Sequence, residues 1–342
     1  MRRLAAVLVV ASGVVSGSAQ AQPGHSLLDW RDLDGWSADD HEAALAVFRE
    51  TCGDIDGGDW APLCALAAAK PDARQFFELF FRPVIIEDGT PGLFTGYYEP
   101  ELDGSPVRTD RYRFPLYRRP PEMCNGPWLT RAQIEESGVL EGRGLELAWL
   151  SDPVEKFFLQ VQGSGRIRFP DGRGRRVGYG GKNGHPYRSI GQELIRRGLF
   201  QPHQVSAGAI RRWVGQNPDA GRQLLQTNPS YVFFREVSAV PSDRGPLGAM
   251  NRSITAGRTI AVDPAFVPLG APVWIEKAGA NPIRRLMVAQ DTGSAIKGAQ
   301  RADIFYGTGD EAGRAAGSVR DPGRMVVLLP IEAALAQAGT GN

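Results

Sequence analysis

From Tyr231 onward the chain is a succession of short apolar runs cut by glycine and proline, at 231–234, 259–262, 272–275, 286–290 and 325–329. Each run is too short for a stable helix and rich in β-branched or aromatic residues, so each reads as a strand. Short, regularly spaced strands with no helical stretch between them point to a small barrel, because closure removes exposed sheet edges.

The upstream half is different. Residues 39–82 read as helical, with Ala43, Leu45, Val47 and Phe48 on one apolar face and Phe76, Phe77, Leu79, Phe80 and Phe81 on a later one. Pro83 stops that run, and Val84, Ile85 and Ile86 begin strand-like sequence. Thr130-x-x-Gln133 and Ser189-x-x-Gln192 have the form of capping boxes, and helical patterns recur at 205–213 and near Leu224 and Leu225. Alternation at 156–162 reads as another strand. About 320 residues exceed one ordinary core. The expected architecture is mainly β with α (α+β): residues 22–101 plus 230–342 form the barrel domain, 102–229 form a smaller inserted domain, and a ligand groove lies between them.

Residues 1–21 have a basic start, an apolar run from Leu4 to Val15 and Ala19-x-Ala21, which predicts a secretory leader cleaved after Ala21. No cysteine lies near that point, so no lipid anchor is expected there. Without the leader's two arginines the count is 37 basic against 38 acidic residues, which argues against nucleic acid as a partner. Between Arg108 and Arg222, however, 20 Lys/Arg face 11 Asp/Glu, which suits either an anionic partner or a solvated arginine-rich face. Cys52 and Cys64 are close enough in sequence to form a disulfide outside the cytoplasm, leaving Cys124 odd. No Cys/His spacing of ligand type is present, and no metal or cofactor is expected.

Three aspartates sit at edges of the late strands: Asp263 after 259–262, Asp291 after 286–290, and Asp303 before Ile304, Phe305 and Tyr306. A carboxyl beside buried side chains loses solvation and its pKa rises, which is what a general acid at neutral pH needs. Asp263-Pro264 and Asp291-Thr292-Gly293 are also ordinary turn sequences. Three carboxylates could instead hold a hard cation. Asp291-Thr292-Gly293 has the form of an aspartic-protease signature, but the chain has no second copy to share the proton.

Four motifs in order, Thr95-Gly96-Tyr97-Tyr98-x-Pro100, Gln160-Val161-Gln162-Gly163-Ser164-Gly165, the segment 228–234, and Gln290-Asp291-Thr292-Gly293 running on to Lys297-Gly298, resemble the lytic murein transglycosylase A family over about residues 80–330. The resemblance implies a double-psi β-barrel carrying the three aspartates. It also implies a lyase-type exotransglycosylase that breaks the β-1,4 bond between N-acetylmuramic acid and N-acetylglucosamine of peptidoglycan and leaves 1,6-anhydromuramic acid ends. Asp303 then falls on the catalytic acid and base, with Asp291 and Asp263 in supporting roles. Thr95, Gly96, Tyr97, Tyr98, Gln162, Ser164, Gly165, Tyr179, Asn183 and Lys297 are expected around the glycan. For each a plainer role stands beside this one: packed tyrosines, turn residues at Gly165 and Asn183, an exposed lysine. The implied setting is a periplasmic monomer acting on glycan strands, with wall-assembly proteins as further partners. A non-catalytic glycan binder and an ordinary hydrolase are the competing readings.

Overall fold

Acidic caps open the first helices of the chain. After strand β1 (Gly24–Leu27), α1 (His41–Thr51) begins where the Asp40 carboxylate accepts the Ala43 amide. Helix α2 (Trp60–Ala68) follows, and α3 (Ala73–Phe80) begins at Asp72, which accepts the Gln75 amide. Phe48 of α1 meets the rings of Trp60, Phe76, Phe77 and Phe81, so the three helices share one aromatic core. The computed structural model describes residues 23–55, 57–124 and 126–339, so the expected leader lies outside the described residues. Cys52 and Cys64 are disulfide-bonded across 12 positions, while Cys124 is free and exposed. Reducing this bond should destabilise the chain by about 3 kcal/mol, mainly by freeing the unfolded state, and thermal melting with and without reductant measures it.

The chain then enters β2 (Phe81–Glu87) and β3 (Leu93–Glu99). The second lobe follows: β4 (Glu101–Ser105), β5 (Phe114–Tyr117), α4 (Arg131–Ser137), β6 (Glu146–Leu150), α5 (Pro153–Gln162), β7 (Gly165–Arg168), β8 (Gly174–Lys182), α6 (Ile190–Arg196), α7 (Ala207–Gln216), α8 (Pro218–Gln226) and β9 (Val232–Glu236). The last segment carries β10 (Thr259–Val262), β11 (Pro272–Lys277), β12 (Ile283–Thr292), β13 (Arg301–Thr308), α9 (Gly309–Gly317), β14 (Arg320–Pro330) and α10 (Ile331–Gly339).

Strands β14, β11, β12, β10, β13 and β3 form a ring that closes by pairing β3 back to β14. Two parallel pairs (β10 with β12, β13 with β3) are set among four antiparallel ones, giving the mixed six-stranded barrel expected of a double-psi topology. β2 and β1 extend the sheet from β14. A second sheet runs β5-β6-β4-β7-β8-β9. The chain crosses between the two sheets at Pro100, one residue separating β3 from β4.

Three expectations are corrected. Residues 156–162 lie in helix α5, not a strand. Asp152 accepts the Val154 amide, Pro153 occupies the first turn, and Gly163 at φ 79° ends the helix by donating to the Leu159 carbonyl. These end signals outweigh a short alternation. The strand at 231–234 belongs to the second sheet, where β9 pairs with β8, rather than to the barrel. The late segment is not free of helices: α9 packs on β3 and β13, and α10 on β1, β2 and β14. Glycine makes the first packing possible, since a Cβ on Gly96 would lie 2.7 Å from the Ala316 Cα.

Candidate functional site

Register decides which carboxyls meet. Asp303 lies within β13 rather than at its opening, opposite Ala261 of β10 and Thr95 of β3. Its neighbours Ala302 and Ile304 are buried in the barrel core, so Asp303 projects from the barrel's outer face. Asp291 lies opposite Ala261 from the other side. The ladder passes from Ile260–Ala289 to Ala261–Asp291, leaving Gln290 as an extra, bulged residue. Ile260 and Ala289 are both core residues, and regular alternation from Ala289 would turn Asp291 inward. The bulge turns it outward, onto the face of Asp303. The two carboxyl-bearing strands flank β10, roughly 10 Å apart across two ladder spacings.

Both side chains are half-buried. The Thr95 hydroxyl donates to Asp303 Oδ1 at 2.6 Å and itself accepts from Arg301 Nη2 at 2.8 Å. Because Arg301 occupies a lone pair of that hydroxyl, its proton is directed at Asp303. Burial pushes the Asp303 carboxyl above its ordinary value, against the opposing Thr95 hydrogen bond and Arg301 charge. Asp291 Oδ1 accepts the Ala249 and Thr292 amides at 3.0 and 2.9 Å, and its Oδ2 accepts the Tyr97 hydroxyl at 2.9 Å. Burial dominates here too, with the Asp303 charge adding to it, and raises Asp291 to about 6 despite those donors.

A carboxyl raised in the folded state holds a proton that the unfolded chain has already released. Stability is therefore expected to fall as pH rises from 3.8 to about 6, then level off. The Asp291 share of that loss is about 3 kcal/mol. Urea unfolding across this range should show a shallower slope in Asp291→Asn. An unchanged slope would remove Asp291 as its source.

Asp263, just past β10, stands apart. Its carboxylate accepts the Gly298 amide at 3.1 Å and the Ala265 amide at 3.3 Å, and Lys297 Nζ lies 3.3 Å away. Burial would raise its pKa, but the Gly298, Ala265 and Lys297 contacts outweigh it and leave the pKa below the ordinary value. Its main-chain carbonyl also accepts from Phe266 and Val267. Asp263 thus ties the 293–300 loop to a turn, and the expected triple cluster is a pair plus one turn-forming carboxylate. The Asp291 and Asp303 partners are hydroxyl and amide groups, so no carboxyl pair of the aspartic-protease kind is formed. Among the described residues no group of three or more His, Cys, Asp or Glu is placed to hold a metal ion.

The other expected contacts divide. Thr95 and Tyr97 lie on the face of the pair, and the Tyr97 ring packs on Phe305 at 5.2 Å. Phe305 lines a cavity of about 460 Å³ between the lobes, together with Arg166 and Thr308. Gly96 and Tyr98 face the other way, against Ala316 and Gly313 of α9. Gln162 Oε1 accepts the Tyr98 amide and so joins α5 to β3. Ser164 is buried, and a Cβ on Gly165 would meet Leu159 at 2.4 Å, so this loop packs rather than projects. Tyr179 is exposed on β8, and the Lys297 side chain is exposed beside Asp263. Asn183, expected on a ligand-facing loop, is fully buried: it donates to the Leu129 and Pro229 carbonyls and accepts the Tyr231 amide.

Sequence reasoning missed Glu99. Its fully buried carboxylate accepts from Arg176 at 2.6 and 2.7 Å, from Arg166 at 2.9 Å and from the Thr308 hydroxyl at 2.9 Å. Arg166 and Arg176 in turn donate to the Arg244 carbonyl. One acid thus joins β3 and β13 of the barrel to β7 and β8 of the second sheet. Only the motif position beside Pro100 could have drawn attention to it.

Family models place this geometry. Residues 93–235 match the MltA specific insert domain, and residues 258–329 match the 3D domain. The membrane-bound lytic murein transglycosylase A of Escherichia coli (strain K12) is 39% identical over 245 residues, 69% of this chain and 65% of that protein. The chain thus spans slightly less than two thirds of the length of the curated relatives it matches. A membrane-bound lytic murein transglycosylase from Agrobacterium tumefaciens superposes with a TM-score of 0.80 at 36% identity, covering 92% of this chain and 99% of that one. E. coli MltA with bound chitohexaose superposes at 0.73 with 30% identity, covering 93% and 97%. With both of its lobes matched, and in the expected order, this chain belongs to the lytic murein transglycosylase A family.

Proposed function

We propose that this protein is a lytic transglycosylase that cleaves the β-1,4 bond between N-acetylmuramic acid and N-acetylglucosamine in peptidoglycan, with Asp303 as its acid and base. The observation that carries this reading is the half-buried Asp303 carboxyl on the outer barrel face, its pKa raised by burial and one oxygen fixed by Thr95. That the E. coli relative holds chitohexaose supports a glycan in the corresponding place.

In the proposed reaction, protonated Asp303 gives its proton to the glycosidic oxygen as the bond to the muramyl C1 breaks through an oxocarbenium-like state. The Asp303 carboxylate then takes the proton of the muramyl C6 hydroxyl, whose oxygen bonds to C1. The proton balance closes without water, and no enzyme nucleophile is needed. Arg301 and Thr95 hold Oδ1 as an acceptor, which leaves Oδ2 to carry the travelling proton. Asp291, a second partly protonated carboxyl on the same face, is fixed by Tyr97 for contact with the sugar.

The setting we propose is the periplasmic face of the cell envelope, reached by a cleaved leader, with single glycan strands as the partner. No helix of the described residues is long and apolar enough to cross a membrane. Digestion of purified sacculi followed by mass spectrometry tests the reading. Muropeptide products are expected to be lighter by one water than hydrolytic ones. Products at the hydrolytic mass would make this a hydrolase, and no products would leave a binder.

A further inference from the structure

A cavity of about 950 Å³ lies wholly within the second lobe, lined by residues between Arg113 and Tyr231 and by none of Thr95, Tyr97, Asp291 or Asp303. Two cations are buried in its wall: Arg131, 2% exposed, and Lys156, 7% exposed. Both turn to one carboxylate, Glu135, at 3.4 and 3.6 Å, long for charge-assisted hydrogen bonds. The Arg131 guanidinium lies over the rings of Phe157 and Tyr231 and donates to the Ser230 carbonyl, yet its Nε–H meets no acceptor. Lys156 Nζ lies 5.2 Å from the centre of the Tyr231 ring. Two buried cations sharing one acid leave a surplus positive charge, which a low-dielectric site tolerates poorly unless an anion completes it.

We propose that this cavity binds a short peptide through a free carboxylate, whose charge offsets the surplus of Arg131 and Lys156 in the cavity wall. The rest of the lining favours a peptide over a polyanion. Glu136 and Glu141 stand among the lining arginines and would repel dense negative charge, but they suit amide and ammonium groups. Arg211 lines the cavity, and its charge acts on Tyr98, which lies on the face of β3 opposite Tyr97, so the cavity and the Asp303 face approach one strand from its two sides. Two sources share this chemistry: the acidic peptide stem carried by muramic acid, which rests on the transglycosylase reading above, and free peptide.

Calorimetric titration of the intact protein with the tripeptide L-Ala–γ-D-Glu–L-Lys tests the site. Saturable binding is expected, weakened about tenfold or more in Lys156→Met and in the rim variant Arg222→Ala, and largely kept in Lys156→Arg. The same peptide with its carboxyls amidated should not bind. Asp303→Asn leaves the cavity intact, so its peptide affinity reads this site whether or not murein is cleaved. A lower KM for stem-bearing than for stripped glycan strands, lost in Lys156→Met, would identify the stem as occupant. Equal KM values with retained peptide binding would identify free peptide. No saturable binding at millimolar peptide, or equal affinity in Lys156→Met with its fold intact by thermal melting, would overturn the proposal.

Discussion

Asp303→Asn is expected to lower the rate of murein cleavage by about a thousandfold or more, since general acid–base catalysis contributes ~10²–10⁴ and one group here serves both steps. The amide still accepts the Thr95 hydrogen bond, so the strand and its register should persist. It carries no proton that can be passed to a leaving oxygen. Melting temperature and glycan binding should therefore stay near the parent values while turnover disappears. The pH profile supplies a second reading. Burial holds Asp303 protonated to higher pH than an ordinary aspartate, and activity is expected to fall as pH rises through that raised value. Full turnover in Asp303→Asn would move the acid elsewhere, with Asp291 the next carboxyl to test.

Glu99→Gln is the second large effect, and it falls on stability. Glutamine is nearly isosteric but neutral, so Arg176, with its side chain 8% exposed, and Arg166 would keep their charges without the acid that both surround. Breaking one side of such a buried network costs about 3–5 kcal/mol. The loss should appear in urea unfolding. A loss of cleavage beyond the fraction unfolded is also expected, because Glu99 joins the lobes that flank Phe305 and Tyr97. A change under about 1 kcal/mol, the scale of an exposed ion pair, would show that solvent replaces the acid.

Local chemistry made several features legible in advance. The Thr130-x-x-Gln133 box forms as written, with Thr130 and Gln133 each bonding the other's backbone, and Ser189 caps α6 through the Gln192 amide. The cysteine loop closes as its spacing suggested, and Phe76, Phe77 and Phe81 pack in the core as their run pointed, whereas Leu79, expected on the same face, is exposed. These outcomes depend on contacts within a few residues, which a sequence states directly. The mistakes have two causes, one local and one not. The run at 156–162 alternates over so few residues that Asp152, Pro153 and Gly163 outside it determine its state. Asn183-Gly184 is a turn in form, yet Asn183 is consumed by Leu129, Pro229 and Tyr231, none of them adjacent in sequence.

The aspartates show where the boundary lies. By itself the sequence determined that three carboxyls stand at or near strand ends, that Asp303 is followed by the buried Ile304 and Phe305, and that Asp263-Pro264 can turn the chain. Only the tertiary structure decided which of the three share a face. Asp291 joins Asp303 because β12 carries one residue more than β10 across Ala261, and Asp263 leaves the group because the Gly298 amide and Lys297 reach it first. Side chains alternate with a period of two along a strand, so a single bulged residue reverses the face of everything beyond it. Whether such a bulge forms is settled by pairing between strands distant in sequence, which no local pattern records.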